Sequence, residues 1–213
     1  MPPCRSTASG PPSTRPTSCE AAAVKKFSRR RGLITTELSG YEVELLSSLI
    51  NQLVELVSEG EPEKYGSDAD PEDFEQFVRE LEVDPDQPEE PSDPVLKRLF
   101  PNAYPGDAAA ASDFRRFTER GLRAKKITDA MTVLQRLAET EQGAHPLRIP
   151  AEETEAWLRT LTSVRLAVAT RLGIADAETA EALSDLPDGD PRSFMVSVYD
   201  WLGFAEETLI SAL

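Results

Sequence analysis

The chain has 213 residues, with 23 Lys and Arg against 38 Asp and Glu, a formal charge of −15 and a sequence pI near 4.6. So acidic a chain repels phosphate at long range, which excludes wholesale nucleic-acid binding of the histone or ribosomal type and confines any such contact to local patches. With 39% apolar residues it reads as globular, and with neither a membrane-span run nor a signal-type apolar stretch it is expected in the cytoplasm, off the membrane.

Residues 1–23 are rich in Pro, Ser, Thr and Gly, contain almost no bulky apolar side chain, and are expected to be a disordered tail. A valine codon can also serve as a start, so the tail could equally be a mis-called start preceding Val24. Both cysteines, Cys4 and Cys19, lie in this tail without CxxC or Cys/His spacing, and in a reducing cytosol they read as incidental thiols.

Patterned sequence begins at Val24. Two short runs around Arg29, Arg30, Arg31 and Gly32, the second running Leu33-Ile34-Thr35-Thr36, predict a hairpin with three arginines at its tip. Ser39-Gly40-Tyr41-Glu42 is a capping box, and Leu45, Leu46, Leu49, Ile50, Leu53, Val54 and Val57 follow at helical spacing to about Glu59-Gly60. Residues 59–93 hold 15 acids, two bases and five prolines, an acidic loop with one short helix expected from Asp70 through Phe74, Phe77, Val78 and Leu81. Asp93 and Pro94 open another short helix that buries Val95, Leu96, Leu99 and Phe100.

Asp107 to about Gln142 predicts a long helix with Gly121 as its natural break, its apolar face drawn from Phe114, Phe117, Leu122, Ile127, Val133, Leu134 and Leu137. Leu147-Arg148-Ile149-Pro150 is a short extended piece. A helix then runs through Trp157, Leu161, Val164, Val168 and Leu172 to Gly173. A linker at 185–191 leads to a last helix with Phe194, Val198, Tyr199, Trp201, Leu202, Leu209 and Leu213 inward. The fold class is mainly α: a single-domain helical bundle over 24–213 with a short N-terminal β-hairpin and an acidic loop. No repeat of solenoid period is present.

The chemistry on offer is sparse. His145 is the sole imidazole and sits in a Gly143-Ala144-His145-Pro146 turn, the acidic run lacks the EF-hand pattern, and no GxGxxG, Walker or GxSxG motif occurs. The expectation is a protein that is not an enzyme and holds neither cofactor nor metal. What stands out is charge: six bases against Glu119 between 115 and 126, of which Arg115, Arg116, Arg120, Arg123 and Lys126 span an arc of about 140° on a helix. Such a stripe contacts phosphates or an acidic partner, or pairs with the chain's own acidic segment. The hairpin-tip Arg29, Arg30 and Arg31 form a second contact candidate.

Four blocks then resemble a known family: the Arg-rich hairpin with Tyr41-Glu42-Val43-Glu44-Leu45-Leu46, the run from Asp93 to Tyr104, Trp157-Leu158 with Val164-Arg165-Leu166-Ala167, and Val198-Tyr199-Asp200-Trp201-Leu202. Over Val24 to Leu213 the chain is similar to the actinobacterial domain-of-unknown-function family 2017, whose described members are oxidative-stress transcriptional regulators. The resemblance implies a cytoplasmic, dimeric regulator acting through promoter DNA or through a sigma factor or RNA polymerase, with cysteine disulfide chemistry as its redox device. In this chain that device could use Cys4 and Cys19 alone, since 24–213 contain no cysteine. An acidic, non-catalytic adaptor that binds no DNA is the alternative that the charge allows.

Overall fold

The computed structural model describes residues 25–30, 32–58, 90–184, 186–187 and 189–213. The tail with Cys4 and Cys19, Arg31, most of the acidic loop and the helix expected at 70–81 lie outside these. Among the described residues the chain is mainly α-helical, with six α-helices and one small antiparallel sheet.

The predicted hairpin is present. β1 (Ser28–Arg30) pairs with β2 (Leu33–Thr36), Ser28 opposite Thr35 and Arg30 opposite Leu33. Gly32 turns the chain at φ +84°, a left-handed conformation that suits glycine. The extended piece Leu147–Ile149 is a third strand, β3, antiparallel to β2 with Ile34 opposite Ile149 and Thr36 opposite Leu147. Alternation puts Ile34, Thr36, Leu147 and Ile149 on the buried side.

α1 (Gly40–Ser58) buries Val43, Leu46, Ile50, Leu53 and Val57, a three-four spacing that makes one narrow inward seam. Its capping box forms as the sequence predicts: the Glu42 carboxylate accepts from the Ser39 amide at 2.6 Å, and the Glu42 amide donates to Ser39 Oγ at 3.3 Å. The second Glu42 oxygen accepts from Trp201 Nε1 at 3.2 Å, so one carboxylate fixes both the start of α1 and the last helix. Glu42→Ala is therefore expected to cost about 1–2 kcal/mol, read as a lower midpoint in urea unfolding, because a cap and an indole partner are lost together.

α2 (Pro94–Leu99) is capped by Asp93, which accepts from the Val95 amide at 2.7 Å and from Arg171 at 2.6 Å. Burial of Asp93 would raise its pKa, but these donors outweigh it and hold the carboxyl below its ordinary value. α3 (Ala108–Ala138) starts at Asp107, whose side chain accepts from the Ala110 amide. It is continuous for 31 residues and passes Gly121 without the expected break.

α4 (Thr154–Leu172) is the hub, packed against α1, α2, α3 and the last helix, with Trp157 fully buried. It ends at Gly173, where φ is +77° and Ile174 donates back to Ala169, a glycine-terminated C-cap. α5 (Ala177–Ser184) was not anticipated from sequence. Its start is held by reciprocal bonds between Asp176 and Thr179. α6 (Ser193–Ser211) buries Val198, Leu202 and Leu209 as expected, but Phe194 and Leu213 are exposed, a correction to the inward face assigned to them.

Candidate functional site

α3 presents the main correction. Phe114, Phe117 and Leu122, assigned to its apolar inner face, point outward; Phe117 is 74% exposed. Val133 and Leu137 are buried as expected, with Ile127 and Leu134 packed against the core, and the rest of the inner face is formed by Ala111, Ser112, Arg123, Asp129 and Ala130. The physical reason for Phe117 is angular: at 100° per residue Phe117 and Val133 lie about 160° apart, so these two cannot share one face of a straight helix, whereas Leu122 lies only about 20° from Val133 and its exposure has no angular explanation. The core beneath α3 selects Val133 and Leu137, which are fully buried, and the aromatic residues of the first half go to the other side.

This rotation divides the basic stripe. Arg123 is 7% exposed and works inside the protein. Its Nε and one terminal nitrogen reach the Glu119 carboxylate at 2.9 and 2.6 Å, and the other terminal nitrogen donates to the Val57 carbonyl at 2.6 Å. That carbonyl lies in the last turn of α1, where carbonyls lack intrahelical donors and where α1 has no base of its own. The guanidinium also lies 4.9 Å over the Phe100 ring. Arg123 thus ties the end of α1 and the end of α2 to α3.

Lys126 is half-buried. Its ammonium donates to Ser163 Oγ at 3.0 Å and lies 5.8 Å from the Phe100 ring, and burial lowers its pKa. Beside it Asp129, 8% exposed, receives Arg159 through two nitrogens at 2.7 and 3.2 Å. Arg115 pairs with the other Glu119 oxygen at 3.4 Å. Arg116 and Arg120 sit on the exposed side, Arg116 at 5.7 Å from the Phe117 ring. Arg115, Arg116, Arg120 and Arg123 all have interaction partners in the fold.

The hairpin tip is not one patch with α3. Arg29 donates to the Leu213 carbonyl at 2.5 Å, joining the sheet to the end of α6, while Arg30 is exposed. The cysteine pair falls in the undescribed tail. Among the described residues no group of three or more His, Cys, Asp or Glu is placed to hold a metal ion. A shallow cleft of about 500 Å³ between α4 and α6 sets Arg165 beside three carboxylates, Asp200, Glu206 and Glu207. That guanidinium pairs with Glu206 at 3.3 Å and covers the Tyr199 ring at 4.7 Å, so the cleft floor is an internal ion pair. No helix among the described residues is long and apolar enough to cross a membrane.

What the geometry brings together is a surface of a different kind: Tyr104 edge-on to Phe114 with 5.8 Å between ring centroids, then Phe117, bordered by Arg116, Arg120 and Lys125, all exposed. Contiguous exposed aromatic area rimmed by charge marks an interaction face more often than a solvated surface. The signal that would have found it was in the sequence, in the angular separation of Phe117 from Val133.

The model of one family, described as a domain of unknown function (DUF2017), matches residues 24–213. The chain belongs to DUF2017. It is 30% identical over 183 residues to a Mycobacterium leprae protein provisionally named oxidative stress regulator AosR, covering 81% of this chain and 79% of the relative. The proteins named oxidative stress regulator AosR in Mycobacterium bovis and Mycobacterium tuberculosis are each 29% identical over 134 residues, covering 58% of this chain and 59% of theirs. No solved structure matches the chain.

The DUF2017 blocks recognised in the sequence meet around α4. Trp157 and Val164 lie in the core, Arg165 stacks on Tyr199 of the final block, and Trp201 reaches Glu42 of the first. The Asp93 block is tied to α4 through Arg171. These blocks therefore build the scaffold, and the exposed aromatic face of α3 lies outside most of them.

Proposed function

We propose that this DUF2017 protein is a cytoplasmic regulator of the oxidative-stress response that acts on transcription by binding a macromolecular partner, without catalysis of its own. The regulatory role is taken from the relatives named oxidative stress regulator. The mode of action rests on one observation, the exposed face of α3 where Phe114 and Phe117 are bordered by Arg116, Arg120 and Lys125. With a formal charge of −15 the chain is poorly suited to general DNA affinity, which favours a protein of the transcription machinery, a sigma factor or an RNA polymerase subunit, over promoter DNA alone.

Residues 24–213 contain no cysteine, so thiol oxidation cannot operate within the folded helices and strands. Oxidant sensing is assigned to the partner. Deleting the gene is expected to change the transcript profile after hydrogen peroxide exposure; a chain lacking residues 1–23 should restore it, and Phe117→Ser with Arg120→Glu should not, at equal protein level. Full restoration by the Phe117→Ser, Arg120→Glu chain would remove the α3 face from the mechanism. Failure of the truncated chain would return sensing to Cys4 and Cys19.

A further inference from the structure

Burial and charge on the inner side of α3 single out one group. Among the described residues five arginines are half-buried or buried, and each is tied to a carboxylate: Arg115 and Arg123 to Glu119, Arg136 to Glu153, Arg159 to Asp129 and Arg165 to Glu206. Lys126 is also half-buried, yet among the described residues no carboxylate stands at ion-pair distance from its ammonium. A base taken out of water without a counter-ion favours its neutral form.

The cause lies across the interface with α4. Asp129, three residues on from Lys126 and 8% exposed, would be the natural partner, but Arg159 holds that carboxylate through two nitrogens at 2.7 and 3.2 Å. Lys126 reaches Ser163 Oγ instead, at 3.0 Å. The serine hydrogen is already given to the Arg159 carbonyl at 2.7 Å, so the hydroxyl turns a lone pair to Lys126 and accepts a hydrogen from either form of the amine. The Phe100 ring, 5.8 Å away, is shared with Arg123 at 4.9 Å. Burial holds the Lys126 pKa below the ordinary lysine value; Asp129 pulls it back up, and the Arg159 charge pushes it further down.

The local charges balance without Lys126. Among the described groups Arg115, Arg123 and Arg159 stand against Glu119, Asp129 and Glu155, so the ammonium is the surplus charge where α2, α3 and α4 meet. An amide nitrogen in its place carries no charge and still has a hydrogen to donate to Ser163. Lys125, next to it in the chain, is exposed and supplies the contrast.

We propose that Lys126 is an acyl-acceptor site. Its neutral Nζ attacks the carbonyl carbon of an activated acetyl group, an acyl phosphate or an acyl thioester; the amide N–C bond forms as the C–O bond to phosphate or the C–S bond to thiolate breaks, and one amine proton passes to water. The product removes one positive charge from the inner side of α3 and withdraws it from Phe100, so the mark acts on the packing of α2 and α4 against α3 and not on the outer aromatic face.

The test is site-resolved mass spectrometry of the full chain after brief exposure at neutral pH to acetyl phosphate in one arm and to acetyl-coenzyme A in another, with fragmentation that separates Lys125 from Lys126. Lys126 is acetylated about threefold faster than Lys125 or more in at least one arm, which names the donor, and the difference disappears in urea. Arg159→Gln, which frees Asp129 to pair with Lys126, brings the Lys126 rate down to that of Lys125 or below with circular dichroism unchanged. A Lys126 rate equal to or below that of Lys125 in both arms overturns the proposal. So does a preference for Lys126 that survives in urea, which would belong to the local sequence and not to the fold, and so does an undiminished Lys126 rate in folded Arg159→Gln.

Discussion

Replacing Gly143 by alanine is expected to lower the melting temperature by about 10 °C, from a loss of about 3 kcal/mol or more in a chain of this size. Gly143 has φ +84° and closes a run of left-handed residues with Glu141 and Gln142. A Cβ there would lie 2.6 Å from the Leu38 carbonyl oxygen, 2.8 Å from the Gly40 nitrogen and 2.9 Å from the Ser39 carbonyl carbon, all backbone atoms that cannot rotate away. The turn stops α3, sends the chain into β3 and lies against the start of α1, so any shift propagates to three elements. Gly32→Ala is the control: its φ is also +84°, but its Cβ would meet open space, and only the conformational strain of about 1 kcal/mol is expected. Equal thermal midpoints for the two variants would show that the turn does not press on α1.

Arg123→Ala is expected to cost about 3 kcal/mol in urea unfolding, whereas Phe117→Ser at the other side of the same helix should change stability by about 0.5 kcal/mol or less. The arginine variant strands the Val57 carbonyl, leaves the Glu119 carboxylate with a weaker partner at Arg115, and uncovers the Phe100 ring. The phenylalanine is largely in water already. An expectation drawn from residue type alone runs the other way, with the arginine on the surface and the phenylalanine in the core. A harmless Arg123→Ala beside a costly Phe117→Ser would mean that α3 is turned that way in solution.

That reversal shows where the sequence is readable and where it is not. The capping box at Ser39, the three-four seam of α1 and the Asp93-Pro94 start of α2 depend on neighbours within a turn or two, and each forms as its local chemistry requires. β3 depends on Ile34 pairing with Ile149 across more than a hundred residues, which no local pattern announces. α5 is short and rests on one reciprocal cap, Asp176 with Thr179. For α3 the apolar residues were visible, but pooling the aromatics of the first half with the aliphatics of the second ignored the angle between them. The basic stripe failed as a single unit for a tertiary reason: Arg123 and Lys126 find the Val57 carbonyl, Phe100 and Ser163, groups contributed by three other parts of the fold. Arg29 likewise meets Leu213 from the far end of the chain.

The resulting division of labour on α3 is physical. Its inward bases hold α1, α2 and α4 together, while Phe114, Phe117, Arg116, Arg120 and Lys125 lie on its exposed side.

Hydroxyl-radical footprinting of the full chain in solution reads the orientation of α3 directly. With rates normalised to intrinsic reactivity, Phe114, Phe117 and Met131 should be oxidised quickly, Met131 faster than the partly buried Met195, while Trp157 and Leu137 stay protected. Protection of Phe117 and Met131 to the level of Trp157 would contradict an exposed outer face on this helix.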